Sequence, residues 1–282
     1  MAGIYLHIPF CKRRCLYCDF YSTTRDEMKH RYTAALCKEL ELRKSYIDGE
    51  PIETIYWGGG TPSQLSREDF EQVFETIHHI YKVSPDAEIT IEANPDDLND
   101  EYVSMLRTLP FNRLSMGIQT FNNESLSLLH RRHTAQQAIE AFSRCRDAGF
   151  NNISIDLMYG LPNETEHTWA NDLEQAIEMR PEHISAYHLI YEEGTPLWKL
   201  REQHRVEEAD EDLSVRLFTM LIHRLKEAGY QHYEISNFSL PGLHSRHNSS
   251  YWVGKKYLGC GASAHSFDGH SRQWNVASID RY

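Results

Sequence analysis

From residue 3 to residue 190 the chain alternates short apolar runs with stretches of helical periodicity, six times in succession. The runs "GIYLHI" (3–8), "IETIYW" (52–57), "AEITIEAN" (87–94), "RLSMGIQ" (113–119), "NISIDLMYG" (152–160) and "HISAYHLI" (183–190) read as strands. Helical patterns occupy 26–47, 66–81, 99–108, 123–130, 134–148 and 165–179. Met28, Tyr32, Leu36 and Leu40 form one apolar stripe, and Phe70, Val73, Phe74 and Ile77 another. Ser66 with Asp69, and Thr134 with Gln137, have capping-box spacing, and Gly149 stops the helix that Thr134 starts. Such repetition implies an α/β architecture, a parallel sheet with crossover helices. The strands read as near-continuous apolar runs, which suits burial on both faces. An open doubly wound sheet and a curled, incomplete barrel fit this alternation equally. Both collect ligands at the carboxyl ends of their strands.

Beyond residue 200 the pattern changes. A long amphipathic helix is expected over 208–228, through Leu213, Leu217, Leu221 and Leu225. "YEISNF" and "HSRHNSSYWVGKKYLGCGASAHSF" follow it. The expected division is a barrel or sheet over 1–200 and a C-terminal extension over 201–282. The stop at Ile279-Asp280-Arg281-Tyr282 has no cap and reads as the end of a fragment. No apolar run approaches the roughly 20 residues of a membrane span. The opening "MAGIYLHIPF" lacks the charged region and long apolar core of a signal peptide. The expected location is therefore cytoplasmic and reducing, with thiols free unless they bind metal. A net charge of −12 argues against a general nucleic-acid binder, which needs a basic field.

The chemistry concentrates in "HIPFCKRRCLYCDF" (7–20), directly after the first strand. Cys11, Cys15 and Cys18 follow C-x3-C-x2-C spacing, so three thiolates can face one centre. Zinc would need a fourth ligand, and His7 is the nearest candidate. An iron–sulfur cluster usually takes four cysteines, so three would leave one iron open to another ligand. Of the other cysteines, Cys37 and Cys145 lie in helical patterns, where a free thiol packs as a small hydrophobe. Cys260 lies in a glycine-rich stretch that reads as a turn.

Further polar residues fall at the same ends of later strands. "YWGGGTPS" (56–63) ends the second, and its glycines would let backbone approach a ligand. A plain turn explains GGGT equally well when it is taken alone. Glu92 ends the third strand, Gln119 the fourth, with Arg131 following in "HRRH", and Asp156 sits in the fifth. Each alone could be a structural ion pair or a cap. Their common placement at one rim favours a site.

The cysteine spacing, with aromatic Tyr17 before the third cysteine, resembles the radical S-adenosylmethionine family. "IYLHIPFC", "YWGGGTPS", "RLSMGIQTFN", "IDLMYGLPNET" and "YEISNF" resemble, over nearly the whole chain, its oxygen-independent coproporphyrinogen III oxidase family. The resemblance implies a partial (β/α)6 barrel of the TIM-like type, and a 4Fe-4S cluster on Cys11, Cys15 and Cys18. In that family S-adenosylmethionine chelates the open iron and is cleaved to a radical. It implies S-adenosylmethionine contacts at Tyr5, Tyr17, Gly60, Thr61, Glu92, Gln119, Arg131 and Asp156, with Ile190 and His265 as outlying ones. No catalytic acid or base is assigned.

Two branches of the family differ in chemistry. The oxidase decarboxylates two porphyrinogen propionates, and it carries a longer N-terminal extension and a fourth cysteine two residues after the third. Here that position is Phe20, and only ten residues precede Cys11. The other branch is a haem chaperone with a short N-terminus, a "CDF" ending and an H-N-x-x-Y-W motif, matched by "HNSSYW" (247–252). The resemblance to that branch implies haem binding with His247 as axial ligand, and delivery to haem-requiring respiratory proteins. It also implies a peripheral association with membranes and a further small C-terminal domain that this chain lacks.

Overall fold

The computed structural model describes residues 2–282. Its first two-thirds follow the expected alternation: β1 (Ala2–Ile8), α1 (Lys29–Leu42), β2 (Ile52–Gly59), α2 (Arg67–Ile80), β3 (Val83–Ala93), α3 (Asp100–Leu106), β4 (Arg113–Gln119), α4 (Asn123–Leu128), α5 (Ala135–Asp147), β5 (Ile153–Tyr159), α6 (Glu166–Met179) and β6 (His183–His188). Then come α7 (Pro196–Glu202), α8 (Glu211–Glu227), β7 (Gln231–His232), β8 (Asn237–Ser239), α9 (Arg246–Trp252), β9 (Tyr257–Cys260), β10 (His265–Phe267) and β11 (Arg272–Trp274). Both expected capping boxes form, at Ser66 with Asp69 and at Thr134 with Gln137. The helix expected to reach residue 47 ends at Leu42.

All the strands join one sheet, in the order β11-β10-β9-β1-β2-β3-β4-β5-β6-β8-β7. Strands β1 to β6 are parallel and pair in sequence order. A doubly wound fold needs a point where the order reverses, and none occurs here. Right-handed crossovers in one winding direction put every crossover helix on the same face. The result is an open part-barrel. Its edges, β11 and β7, are not paired to each other. The segment after 200 adds strands on both sides: β9 runs parallel beside β1, and β8 antiparallel beside β6.

The two faces of the sheet differ, which corrects the expectation of apolar strands covered on both sides. Ile4, Leu6, Ile8, Ile55 and Trp57 face the helices and are fully buried. Trp57 packs against Phe70 and Phe74 of α2, each at 5.1 Å between ring centroids, and against Phe111. The alternate residues form polar cross-strand rows on the concave side. One row is Tyr5, Tyr56, Thr90 and Arg113; another is Glu92, Ser115, Ser154 and His183. The aromatic side chains in β1 and β2 made both faces read as core, because tyrosine fits an apolar run and a polar cleft alike.

Cys145 is buried in α5, as helical packing requires. Cys260 is not in a turn but ends β9, fully buried. The "HNSSYW" stretch lies in α9. Ser245 caps it, accepting from Asn248 N, and both Glu88 carboxylate oxygens accept from its first amides, Arg246 N and His247 N, at 3.0 Å. These contacts seat α9 at the amino end of β2 and β3, away from the cysteine rim.

Candidate functional site

The cysteine loop leaves β1 at the carboxyl rim and is braced from several sides. Its ends meet through Cys11 N to Thr23 O (2.9 Å) and Thr23 N to Pro9 O (2.7 Å). Leu16 donates its amide to Leu129 O and accepts from Leu197 N. Two rim side chains reach the sulfurs: Thr61 Oγ1 donates to Cys11 Sγ and Arg131 Nη1 to Cys15 Sγ, both at 3.4 Å. Burial pushes the Cys11 thiol up, with the neighbouring Cys15 adding to the effect. Burial likewise pushes Cys18 up to about 11. A positive metal centre would reverse that balance by favouring thiolates.

Among the described residues, no three His, Cys, Asp or Glu side chains gather around the position of a single ion. A zinc on these thiols would still need a fourth ligand. His7 removes the remaining argument for it: Nε2 donates to Tyr21 O (2.9 Å) and Nδ1 accepts from Tyr5 OH (3.1 Å), so neither nitrogen is free. A cluster with three cysteine ligands needs no fourth protein ligand, because one iron can take another group. Hydrogen-bond donors aimed at the sulfurs suit such thiolates. The donor set therefore fits a cluster with three cysteine ligands.

Beside the loop lie two half-buried carboxylates. Glu92 accepts from Tyr56 OH (2.8 Å) and Gly59 N (3.2 Å). Burial, then repulsion by Asp156, pushes it up to about 7. Asp156 accepts from Ser115 Oγ at 3.3 Å, and burial pushes it up to about 6. Arg113, fully buried in the polar row, opposes both shifts. Two acids lifted by burial on one rim suit a cationic ligand.

The remaining residues lie close by. Arg131 Nη2 donates to Asn94 Oδ1 (2.8 Å) and to Gly117 O, and Asn94 Nδ2 donates to Thr61 Oγ1 (3.4 Å). Tyr17 lies beside Arg131 and Cys15, and burial raises its phenol. Gln119 has φ +73° at a register shift of β4 against β5, a bulge that re-aims its side chain. The glycines also have a cause within the protein itself. A Cβ on Gly58 would meet Glu92 and Tyr56, one on Gly59 would meet His7, and one on Gly60 would meet the Pro9 backbone at 2.7 Å. They let protein segments close on each other, and so set the rim's shape.

Three expected residues stand apart. Ile190 is 62% exposed just past β6, and His265 is exposed on β10, stacked on Trp274. His247 is 1% exposed, with Nδ1 bonded to Thr54 Oγ1 and Nε2 to Tyr251 OH, both at 2.8 Å. Its ring stacks on Tyr56 at 4.9 Å, and burial, then Arg113, pushes it down to about 3. Either nitrogen can reach iron only by giving up a hydrogen bond. Asp97 and Arg113 escaped the sequence reading. Arg113 sits in a strand whose pattern could have marked it, being a charge in an otherwise apolar run.

Comparison with known proteins agrees with this geometry. The radical SAM superfamily model matches residues 5–176. The heme chaperone HemW of Bacillus subtilis is 36% identical over 285 residues, covering 100% of this chain and 75% of its own length. The HemW of Lactococcus lactis is 37% identical, covering 99% of this chain and 73% of its own. Among solved structures, the coproporphyrinogen III oxidase HemN of Escherichia coli, a radical SAM enzyme, superposes with a TM-score of 0.86 at 26% identity, covering 100% of this chain and 68% of that one. Matched by the superfamily model over residues 5–176 and by the HemW proteins over 99–100% of its residues, the chain belongs to the radical SAM superfamily and, within it, to the family of the HemW proteins.

Proposed function

We propose that the protein is a haem chaperone that binds haem and hands it to haem-requiring respiratory proteins. One observation carries the reading: similarity to the HemW chaperones covers 99–100% of the chain, α9 included. Cys11, Cys15 and Cys18 would hold a 4Fe-4S cluster. Tyr5, Tyr17, Gly60, Thr61, Glu92, Gln119, Arg131 and Asp156 would receive S-adenosylmethionine, whose cationic centres suit the two carboxylates. The cluster would supply a low-potential electron and an open iron position. The working division is barrel over 1–200 and extension over 201–282. No helix among the described residues is long and apolar enough to cross a membrane. We place the protein in the cytoplasm, meeting membrane-bound acceptors peripherally.

In this proposal His247 ligates haem iron after exchanging its bond to Tyr251 for iron. Haem titration of the whole chain, followed by absorbance, tests this. His247→Ala is expected to weaken binding at least about tenfold. Tyr251→Phe frees Nε2 and should tighten it several-fold, in line with about 1 kcal/mol per hydrogen bond. Unchanged affinity in both variants would sink the ligand assignment. A wild type that ignores haem would sink the chaperone reading. Protoporphyrinogen formed anaerobically from coproporphyrinogen III, reductant and S-adenosylmethionine would replace it with the oxidase.

A further inference from the structure

We propose that Asp97 is the positioning residue of the cysteine loop, tying it to the rim segments that carry Thr61 and Arg131. Asp97 closes a 3-10 turn, Pro95–Asp97, just after β3. Its side chain is 2% exposed, and a bare carboxylate buried to that degree is costly. Four donors offset the cost. Oδ1 takes Lys12 Nζ and Arg132 Nη2, both at 3.0 Å; Oδ2 takes Ser63 Oγ at 2.8 Å and Gln64 Nε2 at 2.6 Å. Arg132 also pairs with the adjacent Asp96.

The sources of those donors give the residue its role. Lys12 follows Cys11. Ser63 and Gln64 follow the turn of Thr61, which donates to Cys11 Sγ. Arg132 follows Arg131, which donates to Cys15 Sγ. One carboxylate thus joins three segments, and each segment puts a group at the thiols. Residues 12–14 are exposed, and among the described residues the Lys12–Asp97 pair is their tie to the rim. A loop that must order itself around a cluster loses conformational freedom when it does so. Asp97 fixes that geometry beforehand, as a supporting residue does for a metal ligand. Neither Lys12 nor Asp97 touches a reacting group, so the role is positioning.

The inference rests on the cluster reading only in its second measurement. Hydrogen exchange by mass spectrometry, on the whole chain without cluster, compares the wild type with Asp97→Asn and Lys12→Met. Asparagine keeps the shape but turns one oxygen into a donor facing donors. The hydrogen-bonded amides of the loop, Leu16 to Leu129 O and Cys18 to Cys15 O, are expected to exchange about tenfold faster in Asp97→Asn, the loss of roughly one charge-assisted bond, while α5 and α6 keep wild-type rates. After anaerobic reconstitution, a ferrous chelator should strip iron from both variants several-fold faster than from the wild type. Loop exchange and stripping rates within about twofold of wild type in both variants would overturn the proposal. If Asp97→Asn does not fold, Lys12→Met decides by the same local readout, because it removes only the loop's own donor. A wild type that takes up no cluster would instead overturn the cluster reading, and the exchange comparison would then decide this one.

Discussion

At the scale of single residues, the rim is governed by Glu92 and Asp156, pushed up to about 7 and about 6 chiefly by burial. The groups facing Glu92 are Asp156, Arg113, Tyr5, Tyr56, Tyr187 and Tyr251. Burial raises all four phenols, so they stay neutral near pH 7 and the two acids carry the titration. A carboxyl with a raised folded pKa keeps a proton that the unfolded chain has released. Its stabilising contribution is complete below the unfolded value, near pH 4, and is lost as pH climbs through the folded value. Glu92 and Asp156 therefore pull the melting temperature of the cluster-free protein down from pH 5 to pH 8, as Glu164 and Asp172, also raised by burial, do. The buried histidines His7, His133, His183 and His247, all pushed down, act the other way up to about pH 6.5. Glu92→Gln, which still accepts from Tyr56, should weaken the downward pull; parallel profiles would refute the assignment. The identity of these acids was legible because each interrupts an apolar strand pattern, where an ionisable group stands out. The surroundings of His247 were not legible. Thr54 and Glu88 come from two separate strands that no local pattern brings to it, and Tyr251, four residues on, meets it only because 246–252 is a helix.

Among the elements, α9 shows why short pieces escape a sequence reading. Seven residues are too few for a helix to persist on intrinsic propensity. This one is held by Ser245 and, from β3, by Glu88, whose two oxygens each accept one N-terminal amide. Tyr233 OH accepts Ser245 N and so orients the approach to the cap. The longer elements behave oppositely. The helices α2, α5 and α6 carry whole apolar stripes and start at capping boxes. Their bounds fell within a residue or two of those expected. The α7 helix had a readable signal, Thr195 as N-cap before Pro196, that its length obscured. Glu88→Gln can offer only one acceptor to the two amides and leaves the other facing a donor. It is expected to lower stability by about 1–3 kcal/mol, measured as a shift in the urea midpoint without change of slope. A shift of only a few tenths of a kcal/mol would mean that Ser245 and the stacking on Tyr56 hold α9 unaided.

For the molecule as a whole, the decisive property is that one sheet separates a dry side from a working side. The alternation of strands and helices was legible, but neighbour order was not, because periodicity says nothing about which strands pair. Only sequential pairing puts every crossover helix on one face and leaves the other to Tyr5, Tyr56, Glu92 and Asp156. That asymmetry has a measurable consequence in aromatic residues on opposite faces. Trp57 is fully buried among Phe70, Phe74 and Phe111, where truncation leaves a cavity. Trp57→Ala is expected to cost about 3–5 kcal/mol, a large part of a domain's total stability of roughly 5–15 kcal/mol. Tyr187, on β6 and 43% exposed, faces the cleft. Tyr187→Ala is expected to cost clearly less, about 1–2 kcal/mol, since nearly half of its surface is already exposed. Urea unfolding followed by far-ultraviolet circular dichroism measures both without relying on the tryptophan that one variant removes. Equal losses in the two variants would show that the concave face packs as a second core, and the division of the sheet into a dry and a working side would fall.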